Sequence, residues 1–285
     1  MLRKLEKQEF DRYVEFAYGL ALDMTKSGYP TYADGIKTKN DFITREREAF
    51  SRDGEEILLF EQDGKVNGWI HYYHLPEDRY LDTTSFCVAE GMSEAVSEFT
   101  AFAREHFSGS ELYLGFPKEN IEAVEALNAC GFECIEESDN NVMNFEQYMQ
   151  QPESADVIPI TRENFQLFAD IHSQHDDDMY WTSQRILNAI EGWRIFVFMR
   201  EGKAAGAIYS RIFEDKTMSE IFGVDFPNGI YDGRVYRELL TAVLNDEKRR
   251  GTKHMVFFCD EESQSDALAC GFHCVGEYVC FQKKL

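Results

Sequence analysis

The stretch NACGFECIEE, Asn128–Glu137, returns 140 residues later as LACGFHCVGE, Leu268–Glu277. The flanks repeat as well. FEQDGKVNGWI from Phe60 matches FMREGKAAGAI from Phe198, and LEKQEFDRYVEFA from Leu5 matches ITRENFQLFADIH from Ile160. Three correspondences in one order make the chain two copies of a single unit. The period is far too long for a solenoid, so each copy must bury a core of its own.

A length of 285 residues divides into two domains of ordinary size, and 44% hydrophobic and 14% aromatic residues supply two cores. The join is expected at Met149–Ala155, MQQPESA, giving domains 1–149 and 156–285. No apolar run has the length of a membrane span, MLRKLEKQEF lacks the apolar centre of a signal peptide, and seven cysteines suit reduced thiols. The expected location is the cytoplasm. A net charge of −23 disfavours nucleic acids and anionic membranes as partners. It suits a cationic small molecule, and equally a merely soluble surface.

Each half reads as strand, helix, helix, two-strand hairpin, strand, helix, strand, helix, strand. In the second half the hairpin falls at Ile195–Met199 with Ala204–Ser210, and the long helix at Val235–Arg250. The acidic-Gly-Lys turns at Asp63 and Glu201 mark the hairpins, because a glycine there accepts positive φ. Val235, Leu239, Ala242 and Val243 share one helix face, and Lys248, Arg249 and Arg250 suit the C-terminal dipole. The first half carries extra length around Tyr29–Lys39.

This order, with the GK-turn hairpin and the closing helix-then-GF pattern, resembles the GNAT superfamily of N-acetyltransferases, once per half. Asn120, Ala123, Gly131 and Phe132 fit the N-x-x-A-x-x-x-Y-x-x-x-G-F element; the second half keeps Gly271-Phe272 but has Asp260 and Ser263 for the Asn and Ala. The resemblance implies an α/β fold of two tandem GNAT-like domains, each a mixed, mostly antiparallel sheet flanked by helices. It also implies acetyl-CoA as co-substrate, with no resident metal.

The resemblance places a coenzyme A diphosphate at a Q/R-x-x-G-x-G/A loop opening the long helix, where backbone N–H groups favour an anion. Here Tyr231, Arg234 and Tyr236 stand at the three specified positions, with Gly229 and Gly233 out of register and Asp232 repulsive. Val224, Gly229, Gly233, Arg234, Val235 and Tyr236 are the candidate cofactor-binding residues. In the first half the loop is about five residues shorter, and Glu90 and Glu94 stand where the diphosphate would lie. That half is expected to be a structural or substrate-shaping partner, with the wedge between its fourth and fifth strands narrowed or filled and that of the second half open.

Attack on a thioester needs a neutral amine, so a base is required. Glu220 on the fourth strand of the second half is the candidate base; its counterpart is Thr84. The tyrosine that the resemblance implies as general acid is Leu127 in one half and Ala267 in the other. Cys259, Tyr231 or water would then protonate the thiolate, or the protein is no catalyst.

The segment His172–Trp181 is the densest polar cluster, and in the family fold it overhangs the acceptor site. Asp176, Asp177 and Asp178 with Tyr180 and Trp181 are the candidate binding residues for a cationic acceptor, by charge and cation–π contact; a solvated acidic loop is the plain alternative. His172 and His175 with the aspartates give a weaker metal reading. Cys130/Cys134 and Cys270/Cys274 read as buried thiols, because four residues along a strand span about 13 Å. The expected function is acetyl transfer from acetyl-CoA to a primary amine of a small cationic molecule; the alternative is a non-catalytic ligand-binding or interaction module of the same fold.

Overall fold

The computed structural model describes residues 1–177, 179–213 and 217–285. They form two compact units, Met1–Glu137 with Gly276–Leu285, and Ser138–Val275. The boundaries expected from the sequence, 1–149 and 156–285, follow chain order. The contacts do not, because the strand that ends each half of the chain carries residues of both units.

The first unit runs β1 (Leu2–Lys4), α1 (Phe10–Ala21), α2 (Lys39–Glu48), β2 (Glu55–Gln62), β3 (Lys65–Leu75), β4 (Tyr80–Val88), α3 (Met92–His106), β5 (Glu111–Pro117), α4 (Ile121–Ala129) and the start of β6 (Glu133–Asn144). The second takes the rest of β6, then β7 (Val157–Pro159), α5 (Gln166–His172), α6 (Ser183–Asn188), β8 (Trp193–Arg200), β9 (Lys203–Ile212), β10 (Met218–Asp225), α7 (Gly233–Arg250), β11 (His254–Cys259), α8 (Glu261–Ala269) and the start of β12 (His273–Lys284). The sheet of the first unit is ordered β1-β2-β3-β4-β5-β12 and that of the second β7-β8-β9-β10-β11-β6. All neighbours are antiparallel except β4 with β5 and β10 with β11. Those two pairs are joined by the crossover helices α3 and α7, as parallel neighbours require. Each sheet is therefore mixed and mostly antiparallel.

Strand alternation builds two cores per unit. Leu58 and Phe60 of β2 pack under α3 and α4, while Ile57 and Leu59 face α1 and α2. Phe196 and Phe198 of β8 pack under α7 and α8, and Ile195 and Val197 face α5 and α6. The hairpins turn through Asp63-Gly64 and Glu201-Gly202, all four at positive φ, the two-residue turn whose twist matches the strands.

In the first unit β4 and β5 pair only at Tyr80 with Glu111 and Leu81 with Leu112, then diverge. The chain fills the resulting wedge itself. Val88 N donates to Lys26 O (2.8 Å), Gly28 N to Phe86 O (2.7 Å) and Tyr29 N to Gly115 O (2.9 Å). Gly28 is required for this close approach, since a Cβ there would lie 3.0 Å from Gly115 O and 3.3 Å from Phe86. The face toward α2 is filled by a charged network. The buried Glu46 accepts from Trp69 Nε1 (2.6 Å) and faces His71 Nδ1 (3.0 Å); His71 Nε2 faces Glu55 (2.9 Å). Arg45 grips both Glu55 oxygens and Thr84 Oγ1. Burial opposes a charge on His71, but a carboxylate at each ring nitrogen outweighs it and raises the pKa. Burial also opposes charge on Glu55, yet His71 and Arg45 hold that carboxyl down at about 2.

Two outcomes are expected. Gly28→Val overpacks the filled wedge and destabilises the protein by about 1–3 kcal/mol, read as a lower urea midpoint. His71 titrates higher in the native than in the unfolded chain, so its contribution to stability is complete below the unfolded value of about 6.5 and is lost as pH rises through the native value. The urea midpoints of the wild type and His71→Gln should therefore converge from acid toward alkaline pH.

Candidate active site

In the second unit the parallel pair holds for longer, Met218–Ile221 against His254–Phe257, and then parts. A bulge between Ile221 and Gly223 shifts β10 against β9 at this point, which re-aims the backbone beyond it. The residues past the divergence enclose a cleft of about 310 Å³, lined among others by Gly223, Val224, Tyr231, Tyr236, Cys259 and Ser263. A side chain on Gly223 would collide with the Tyr209 hydroxyl, so the strand stays thin where it borders the cleft.

Asp225 and His175 also border the cleft. Asp225 Oδ2 lies 2.7 Å from Nδ1 of the fully buried His172, whose Nε2 lies 2.8 Å from Trp181 O. Nε2 donates to the carbonyl, which only accepts, and a carboxylate facing Nδ1 favours the charged ring. Burial opposes that charge, but the Asp225 bond and the Trp181 carbonyl raise the pKa above its usual value. With both nitrogens engaged, His172 pins the loop after α5 to the end of β10.

At the cleft mouth α7 begins. Its first amides are already capped: Asp232 Oδ1 accepts from Arg234 N (3.1 Å) and Val235 N (3.2 Å), and Oδ2 accepts from Arg200 (2.8 Å). Arg200 and these amides hold the Asp232 carboxyl below its usual pKa. The corresponding helix of the first unit, α3, likewise has an acid at its start, Glu122 accepting from Ser93 N at 3.2 Å.

The sequence-predicted residues distribute unevenly. Val224, Gly229 and Tyr236 line the cleft. Gly233 is the first residue of α7, and Val235 is buried in the core beneath it. Arg234 is exposed and lines a separate groove of about 740 Å³, with Tyr148, Arg237, Cys270 and His273. Glu220 is half-buried on β10, directly opposite Arg211 of β9. Arg211 in turn lies 4.7 Å over the Trp181 ring, and Arg185 lies 4.1 Å over Tyr180. Both aromatic faces thus already carry an arginine of the chain. Asp176 accepts from Ser183 N (2.6 Å) and Oγ (3.0 Å), Asp177 is exposed, and Asp178 lies outside the described residues.

Tyr231 and Cys259 are both at the cleft, but both are engaged. Tyr231 donates to Asp266, which also binds Arg237, and the Cys259 thiol donates to Gln264 (3.0 Å). Sequence reasoning missed the His172–Asp225 pair, because 53 residues separate its members and neither stands in a motif. Among the described residues no group of three or more His, Cys, Asp or Glu could hold a metal ion, and no helix is long and apolar enough to cross a membrane.

No family model matches the sequence, and no curated protein matches it. Solved structures do. A GCN5-related N-acetyltransferase from Sphaerobacter thermophilus superposes with a TM-score of 0.66 at 14% identity, over 100% of this chain and 95% of its own. A tandem GNAT protein from the clavulanic acid biosynthesis pathway gives 0.51 at 13%, over 100% and 98%. The GCN5-related glucosamine N-acetyltransferase region of a fungal multi-domain GH3 β-N-acetylglucosaminidase gives 0.62 at 9%, covering 99% of this chain and 38% of that one. Over its whole length the chain has the fold of the GNAT N-acetyltransferases, including one built as a tandem.

Proposed function

We propose that the second unit transfers an acetyl group from acetyl-CoA to a primary amine of a small, cationic acceptor in the cytoplasm, and that the first unit is its structural partner. The observation that carries this reading is the asymmetry of the wedges. The first is closed by Lys26–Tyr29, while the second is a cleft of about 310 Å³ bordered by a bulged strand. Such a cleft suits an extended thioester arm, which pairs with exposed strand backbone on either side.

In this reading the arm lies past Val224, and the diphosphate reaches the start of α7 at Gly233, Arg234 and Val235, with Gly229 and Tyr236 on the inner side. Glu220 takes the proton of the acceptor ammonium through water, freeing the lone pair that attacks the thioester carbonyl. The net charge of −23 draws a cation toward the site, with Asp176, Asp177 and Asp178 as the acceptor-binding residues of this reading. No nucleic acid or membrane is required.

The Asp232 cap favours a second reading, a non-catalytic module of the same fold, because a carboxylate already sits on the amides that would meet a diphosphate. Calorimetry with acetyl-CoA separates the two. Binding by the wild type supports transfer; no binding at millimolar ligand ends that reading and favours the module.

Asp232→Asn keeps an N-cap but removes the negative charge. It should tighten acetyl-CoA binding by several-fold, more at low salt than at high. Glu220→Gln should leave acetyl-CoA affinity unchanged and lower kcat by roughly 10²-fold or more, most strongly at pH below the amine pKa. Loss of acetyl-CoA binding in Glu220→Gln would place Glu220 in cofactor binding instead.

A further inference from the structure

Another pocket of the second unit, of about 400 Å³, lies between the sheet edge at β7 and β8 and the C-terminal half of α7. That volume falls in the range of small-molecule sites. Part of its lining is apolar, with Ile160, Ile190 and Phe196 left 8–9% exposed. Its rim carries Arg162, Arg249 and Arg250, all exposed, and Arg194 lies deeper, its side chain 23% exposed. Against these four arginines stand three carboxylates, Glu153, Glu191 and Asp246, so the lining has one net positive charge in a chain of −23. Arg249 and Arg250 suit the C-terminal dipole of α7, but Arg162 and Arg194 belong to other elements.

One carboxylate serves three of the guanidinium groups. Asp246 accepts from Arg250 Nε (2.5 Å) and lies 3.6 Å from Arg249 and 4.0 Å from Arg194 Nε. Arg249 has Glu153 as well (2.5 Å). Among the described residues Arg194 has no such second carboxylate: Nη1 donates to Trp193 O (2.7 Å) and Glu191 O (3.3 Å), and the buried Nε has no acceptor. Glu247, fully buried nearby, does not make up the deficit, because burial pushes its carboxyl pKa up. Burial and Arg250 both push the Arg194 pKa down, as expected of a cation short of counter-charge. A buried charged donor without an acceptor weakens a fold, so its retention at a pocket points to an acceptor supplied from outside.

We propose that this pocket binds a small organic carboxylate, its head held by Arg194 and Arg162 and its apolar body lying on Ile160, Ile190 and Phe196. A guanidinium fork matches the two oxygens of a carboxylate, and Arg194 has an edge uncommitted for that purpose. The pocket is larger than a bare oxyanion fills, and its apolar lining takes an organic body out of water. This pocket and the cleft share no lining residue, and they lie at opposite ends of the 18-residue α7. The inference therefore stands whether or not the second unit transfers acetyl groups.

The probe is benzoate, added to the full chain at constant ionic strength and followed by NMR of the ¹⁵N-labelled arginine Nε–H groups. The Arg194 resonance should move saturably, with a Kd on the order of 1 mM. Benzamide, of the same shape without the charge, should bind roughly tenfold more weakly, and benzoate should lose a similar factor in Arg194→Gln and in Arg162→Gln. Inorganic phosphate should bind more weakly than benzoate, because it has no body for the apolar lining. Absence of a saturable shift at tens of millimolar benzoate overturns the proposal, and so does equal binding of benzamide or of phosphate. Should Arg194→Gln fail to fold, Arg162→Gln on the exposed rim decides: weaker benzoate binding supports the proposal, and unchanged affinity overturns it.

Discussion

Each unit depends on a parallel strand pair that begins and then fails. Antiparallel neighbours run side by side through short turns, but β4 with β5 and β10 with β11 are joined by a crossover helix, and their strands part after two and four paired residues respectively. Past the divergence, backbone N–H and C=O groups on facing edges must find partners elsewhere. The first unit resolves this internally: the chain between α1 and α2 enters the wedge and supplies amides and a carbonyl to Phe86, Val88 and Gly115. The second unit leaves the corresponding space as a cleft. One local choice at one topological point thus separates a closed unit from an open one.

The same contrast runs to the other face of the sheet. Where the second unit has Glu220 on its fourth strand, the first has Thr84, held by Arg45 in a network with Glu55, His71 and Glu46. A buried set of alternating charges is stable only when every member is paired, and removing any one of them strands the others. That network leaves little freedom for a reacting group. The second unit has a simpler buried pair, His172 with Asp225, placed to fix a loop against the cleft rather than to fill the face.

Much of the fold was legible in the sequence because it rests on local signals. The repeat announced two units, positive-φ turns at Asp63-Gly64 and Glu201-Gly202 announced the hairpins, and the apolar stripe of Val235–Val243 announced α7. The exchange at the chain's two late strands was not legible. GFEC and GFHC have the same strand signal whichever sheet they complete, and pairing partners far apart in sequence leave no periodic trace. The lining of the cleft was legible only by position. Val224, Gly229 and Tyr236 border the cleft, but Arg234 on the same helix turn points to another groove, since a helix rotates about 100° per residue and spacing alone does not fix direction. The acidic loop reads as a cation trap from composition. In the structure Asp176 holds Ser183, and arginines cover Tyr180 and Trp181.

Tyr236 and Ala267 of the second unit show how the cleft departs from the resembling motif. The GNAT resemblance sets a small residue at position 236 and a tyrosine at 267; this chain has Tyr236 and Ala267. Both lie in the same packed cluster under α7 and α8, with Phe257 and Phe272. Enlarging one helix while reducing its neighbour conserves volume, the kind of paired change a close-packed core tolerates, whereas either change alone would overpack it or leave a cavity. In this chain the phenol of the cluster stands on α7 and the small side chain on α8. At the helix start Tyr236 stands where the resembling motif has a small residue, and Asp232 already occupies the first amides. The Asp232 carboxylate at the mouth therefore opposes an anion there, while the inner end of the cleft is walled by packed aromatic rings.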